Sequence, residues 1–135
     1  MKPSILIIED EFLISAEMEE VIRDLGYVSA GTADDLESAL SLASDEIDVA
    51  LVDVNLADGA TGPEIGARLA REYDMQVVFV TANPQQLSAG VPGTLGAVEK
   101  PVDLRVLDEV LEFAFAYKRG LTPTPPPRLQ MFQAI

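Results

Sequence analysis

The chain has 135 residues with 23 acidic against 9 basic side chains, a formal net charge of −14, and it contains no His, Cys or Trp. This length is enough for one domain with a real core, and 48 % hydrophobic with 24 % charged residues is the balance of a globular chain, not a disordered one. The missing Cys and His exclude disulfides, thiolate or imidazole metal ligation and Ser-His or Cys-His catalysis, while the acidic excess argues against nucleic acid and anionic membrane surfaces as partners.

Ser4 to Ile8 is a continuous aliphatic run, too short for a helix, and predicts a strand buried on both faces. An acidic triplet closes it at once, so the run is too short for a signal peptide. No stretch reaches the roughly 20 apolar residues that span a bilayer, and the expectation is a cytoplasmic chain. From Glu11 to Leu25 the spacing of Ile14, Met18, Val21, Ile22 and Leu25 is helical, with Gly26 placed as terminator. Tyr27 to Thr32 predicts a second strand, and Asp34 or Asp35 can cap a helix carrying Leu36, Ala39, Leu40 and Ala43. Val49 to Val52 is a third strand, ending at Asp53. After a loop from Asn55 to Gly62, Pro63 suits the first turn of a helix with Ile65, Leu69 and Ala70 inward. Gln76 to Val80 is a fourth buried strand that stops at Thr81. The stretch Asn83 to Gly96, broken by Pro and Gly, has room for one short helix around Gln85 to Ala89. Ala97 to Glu99 is a fifth strand, and Val102 to Tyr117 a last helix with Leu107, Val110, Leu111 and Ala114 as its inner stripe.

This alternation predicts an α/β fold: a doubly wound, five-stranded parallel sheet of (βα)5 type with right-handed crossovers. The domain is expected over residues 1–119, followed by a Pro-rich tail over 120–135 that is extended or disordered. In such sheets ligands bind beyond the carboxyl ends of the strands, where strand order reverses. The residues at those ends are Glu9 and Asp10 after the first strand, Asp53 after the third, Thr81 at the fourth and Lys100 after the fifth. Taken alone, Glu9, Asp10 and Glu11 are an exposed acidic helix start favoured by the macrodipole. With Asp53 beside them, the carboxylates repel unless a cation sits between them, and an all-oxygen site suits Mg2+. A lysine balances a carboxylate or an anionic oxygen, and a threonine hydroxyl hydrogen-bonds one. Together these parts suit phosphoryl transfer with a carboxylate nucleophile.

The segments Ile-Leu-Ile-Ile-Glu9-Asp10-Glu11, Leu-Val-Asp53-Val-Asn55-Leu-Ala-Asp58-Gly59, Val-Thr81-Ala82-Asn83 and Glu99-Lys100-Pro101 resemble the receiver domain of two-component response regulators, in the family's order over roughly residues 4 to 117. The wording around Thr81 and Ala-Asp58-Gly59 further resembles receivers of alphaproteobacterial general-stress regulators. The resemblance implies a flavodoxin-like receiver fold in which Asp53 accepts a phosphoryl group from a phosphohistidine on a histidine kinase or histidine phosphotransfer protein. It implies that Glu9, Asp10, Asp53 and the backbone carbonyl of Asn55 surround Mg2+, that Thr81 and Lys100 contact phosphoryl oxygens, and that the Lys100–Pro101 bond is often cis. Asn55 and Asn83 border the pocket and influence hydrolysis. Ala97 stands where family members often carry an aromatic coupled to phosphorylation, so order–disorder of residues 83 to 96 is the expected substitute relay.

The expected protein is therefore a stand-alone phosphorylation switch, monomeric or a phosphorylation-dependent homodimer, acting on an unknown downstream protein. Val106, Phe113 and Tyr117 form a second stripe on the last helix: either a partner face, or residues covered by the tail. Leu129, Met131, Phe132 and Ile135 are tail residues able to dock. The rivals are a Mg2+-dependent phosphatase with an aspartyl nucleophile, which lacks a second acid at Asn55, and a receiver-fold interaction module that is never phosphorylated.

Overall fold

Aliphatic side chains at nearly every position put strands Ser4–Ile8 (β1) and Val49–Val52 (β3) in the middle of the sheet, with neither face free for water. The computed structural model describes residues 3–132 and adds, in chain order, helix Phe12–Asp24 (α1), strand Val28–Ala33 (β2), helix Leu36–Leu42 (α2), helix Gly62–Tyr73 (α3), strand Gln76–Thr81 (β4), strand Gly96–Glu99 (β5), helix Leu104–Lys118 (α4) and strand Gln130–Met131 (β6). The strand order is β2-β1-β3-β4-β5-β6, parallel except for the last pair. The period-2 alternation of each strand divides the core into two layers. Leu6, Ile8, Val52 and Phe79 pack under α2 and α3 through Ala39, Ile65 and Leu69. Ile5, Ile7, Leu51 and Val78 face α1 and α4 through Ile22, Leu107, Val110 and Leu111.

Local chemistry sets the helix ends. Gly26, at φ 96°, follows α1 in the left-handed region and donates its N–H to the Arg23 carbonyl at 2.9 Å. The Asp35 carboxylate accepts the Ser38 N–H at 2.8 Å, and Ser38 Oγ accepts the Asp35 N–H in return, a capping box for α2. Asp103 accepts the Val106 N–H at 2.9 Å, which is why α4 begins after Asp103 and not at Val102.

The segment after β4 forms a single 3-10 turn, Pro84–Leu87, in keeping with room for at most one short helix there, because the prolines and glycines of 84–96 interrupt any longer one. The five expected parallel strands are all present, but the tail, expected to be extended or disordered, adds a sixth: Gln130–Met131 pairs antiparallel with Gly96–Ala97 at the outer edge. Its driving force is apolar, since Leu129 is 5 % exposed and Phe132 tilts against Phe79 with ring centroids 6.2 Å apart. Ile135 lies outside the described residues. No helix among the described residues is long and apolar enough to cross a membrane.

Candidate functional site

Strand order reverses between β1 and β3, where the chain leaves β1 outward to β2 and returns to β3. Ile8 pairs with Val52, and Val52 with Phe79, so Glu9, Asp10 and Asp53 leave the sheet at one edge. Thr81 pairs with Glu99, and the Lys100 N–H donates to the Thr81 carbonyl at 2.9 Å, bringing the lysine to the same edge. Lys100–Pro101 is cis.

Lys100 organises the cluster. Its Nζ donates to Glu9 Oε1 at 2.6 Å and to Asp53 Oδ2 at 2.9 Å. The other Glu9 oxygen accepts the Glu11 N–H at 3.1 Å, and Asp53 Oδ1 accepts the Val54 N–H at 2.7 Å. Glu9 is 4 % exposed and Thr81 2 %, whereas Asp10 is open to solvent. Burial pushes the Glu9 carboxyl above its ordinary pKa, and the hydrogen bonds from Lys100 and the Glu11 N–H offset this only in part. For Lys100, burial acts to lower the pKa, but the hydrogen bonds to Glu9 and Asp53 prevail and hold it above the usual lysine value. One oxygen from each of Glu9, Asp10 and Asp53 lies within 4.8 Å of the others. Three carboxylates so close, two of them sharing one ammonium, have the donor set of a hard divalent cation.

These groups open onto a cleft of about 380 Å³ lined by Asp10, Asp53, Asn55, Thr81, Asn83 and Lys100 among others. The structure thus brings together every strand-end residue singled out from the sequence, with Asn55 and Asn83 on the rim. Ala97 is not there: it is fully buried between Phe79 on β4 and Gln130 on β6 in the sheet pairing. Val106 is half-buried, Phe113 is 4 % exposed and shares a core layer with Leu129 of the tail, and Tyr117 alone of that stripe is exposed.

Two supports of the site were not singled out as such from the sequence. At Gly62 a Cβ would lie 2.0 Å from the Asp53 carbonyl oxygen and 2.6 Å from Val54 Cα, so only glycine lets α3 start against the backbone of Asp53. Asp58 holds the loop after Asp53. Its carboxylate accepts from the Thr61 hydroxyl and from the Leu36 N–H at 3.1 Å, which together lower its pKa, and the Ala57 N–H donates to the Asp34 carbonyl at 3.0 Å. The Ala-Asp-Gly wording in the sequence was the available signal for this tether.

Comparison with known proteins gives the same picture. The family model described as "Response regulator receiver domain" matches residues 5–112. The phyllosphere-induced regulator PhyR of Methylorubrum extorquens is 30 % identical over 123 residues, covering 89 % of this chain and 46 % of that protein, so the chain spans about half the length of this relative. The chemotaxis protein CheY of Pseudomonas aeruginosa is also 30 % identical, over 86 % of this chain and 98 % of that one. The solution structure of the PhyR receiver domain from Erythrobacter litoralis superposes with a TM-score of 0.77 at 30 % identity, covering 91 % and 95 % of the two chains.

Proposed function

The chain belongs to the response regulator receiver domain family of two-component signalling, and from that premise we propose that Asp53 is its phosphoacceptor and that Glu9, Asp10, Thr81 and Lys100 serve the transfer. A carboxylate oxygen of Asp53 attacks phosphorus in line with the nitrogen–phosphorus bond of a phosphohistidine on a kinase or phosphotransfer protein. The P–O bond forms as the N–P bond breaks, and the electron pair leaves with the imidazole, which takes a proton from solvent. These 135 residues contain no histidine, so the phosphohistidine is not among them. Lys100, already bonded to Asp53, follows the charge from the carboxylate to the phosphoryl oxygens, and the Thr81 hydroxyl turns to donate to one of them. Glu9, Asp10, Asp53 and the Asn55 carbonyl are the residues that would hold Mg2+, which when bound supplies neutralising charge for the phosphoryl oxygens. Glu9 stays tied to Lys100 and orients it.

The observation that carries this reading is the single ammonium shared by Glu9 and Asp53 beside Asp10 at one sheet edge. The output is through contact with another protein, and the donor class implies a cytoplasmic setting. The test is mass spectrometry of the intact chain after incubation with Mg2+ and acetyl phosphate or phosphoramidate. One phosphoryl adduct is expected, absent from Asp53→Asn. Rapid turnover of phosphomonoesters would instead identify a phosphatase, and no adduct under any condition would leave only an interaction module.

A further inference from the structure

The outer edge of β5 is shaped to accept a strand. A Cβ on Gly96 would lie 2.3 Å from the Gln130 carbonyl oxygen, so β6 sits where any other residue would put a side chain. The Phe132 N–H donates to the Leu95 carbonyl at 3.0 Å. Leu129 and Met131 pack on the α4 layer and Phe132 on the opposite one, so the segment grips both faces of the sheet edge. Yet the paired strand is only two residues long, and four prolines between 123 and 127 lead to it along a largely exposed course. A pairing this short rests on its apolar side chains and not on its ladder.

Those apolar contacts lead to the Asp53 cleft. Asn83 and Gln86 line the cleft, while Leu87 and Val91, a few residues on, belong to the layer that holds Phe132. The intervening 3-10 turn is tethered at its start by the Asn83 N–H, which donates to Thr81 Oγ1 at 3.2 Å. Rotating the Thr81 side chain so that its hydroxyl reaches a phosphoryl group moves Oγ1 away from the Asn83 N–H and loosens the turn beneath Phe132. Resting on the reading of Asp53 given above, we propose that the β5 edge is a strand-acceptor surface whose resident occupant is this chain's own segment 129–132, and that occupancy of the Asp53 cleft releases it. The freed edge then offers unpaired N–H and C=O groups flanked by apolar sockets, the surface that an extended apolar strand of a partner completes.

The measurement is hydrogen exchange of the Phe132 amide in the full chain, without and with Mg2+ and beryllium trifluoride, a phosphoryl mimic whose bound state is read separately by fluorine NMR. With ligand bound, exchange at Phe132 should quicken about tenfold while amides of β1 and β3 keep their rates. Binding without a change at Phe132 overturns the coupling; absence of a bound fluorine signal overturns the Asp53 reading and this inference with it. Protection of Phe132 that grows with protein concentration would mean the segment docks on a second copy, which contradicts docking on its own chain. Gly96→Val should free the segment without ligand and tighten beryllium trifluoride binding by the same factor, because coupling is reciprocal. Phe132→Ala should do likewise, and unchanged affinity in both variants overturns the proposal.

Discussion

Glu9 keeps a carboxylate in a place that disfavours charge, and what makes that tolerable is one hydrogen-bonded ammonium and one backbone N–H. Side-chain chemistry of this kind was legible in the sequence, because each group ends a strand and a parallel sheet brings strand ends together. Gly62 was not legible, since its role depends on how close a helix comes to the Asp53 backbone. Replacing it with Ala forces backbone atoms apart and should cost about 1–3 kcal/mol, read as a lower urea midpoint with unchanged slope, together with a lower yield of phosphoryl adduct. Tyr27 offers a pH test away from the site. Burial, then the nearby charges of Asp108 and Glu112, push its phenol up to about 12 from the ordinary 10. The folded state therefore holds this proton more tightly than the unfolded chain does. Stability is full below pH 10 and declines as pH rises through 12. In an alkaline titration one of the three tyrosines should ionise last, and Tyr27→Phe should remove that step and flatten the loss of stability between pH 10 and 12.

Among the elements, β1, β3 and β4 followed from aliphatic runs that only a doubly covered sheet can bury, and the helices from their 3.6-residue spacing. Their ends were less legible where capping decides them. Asp103 delays α4 to Leu104, and Asp35, one of two adjacent candidates, is the residue whose side chain meets the Ser38 N–H. Asp35→Ala should cost about 1 kcal/mol in denaturant titration, and Asp35→Asn much less, because an amide oxygen still accepts the Ser38 N–H. The stretch after β4 is where local rules gave least. Prolines and glycines forbid a long helix there, but they do not say that its single turn links the Asp53 cleft to the layer holding Phe132.

At the scale of the whole molecule, the sixth strand changed the expected architecture. No pattern of residues announces a two-residue strand behind four prolines, and its acceptor is a missing side chain at Gly96, visible only once two backbones meet. The tail also decides which part of α4 is surface: Phe113 shares its core layer with Leu129, and Tyr117 remains outside. The net charge of −14 divides in the same way. Most of it is solvated surface that favours solubility, and a small part, at Glu9, Asp10 and Asp53, is gathered where a phosphoryl group and a cation would meet it. The claim on which the rest depends is that Asp53 forms an acyl phosphate. Borohydride reduces an aspartyl phosphate to homoserine, so peptide mass spectrometry of the chain treated with Mg2+ and acetyl phosphate, then reduced, locates the acceptor directly. Homoserine is expected at position 53 and nowhere else; reduction at another carboxylate, or at none, would rule out Asp53 as the acceptor.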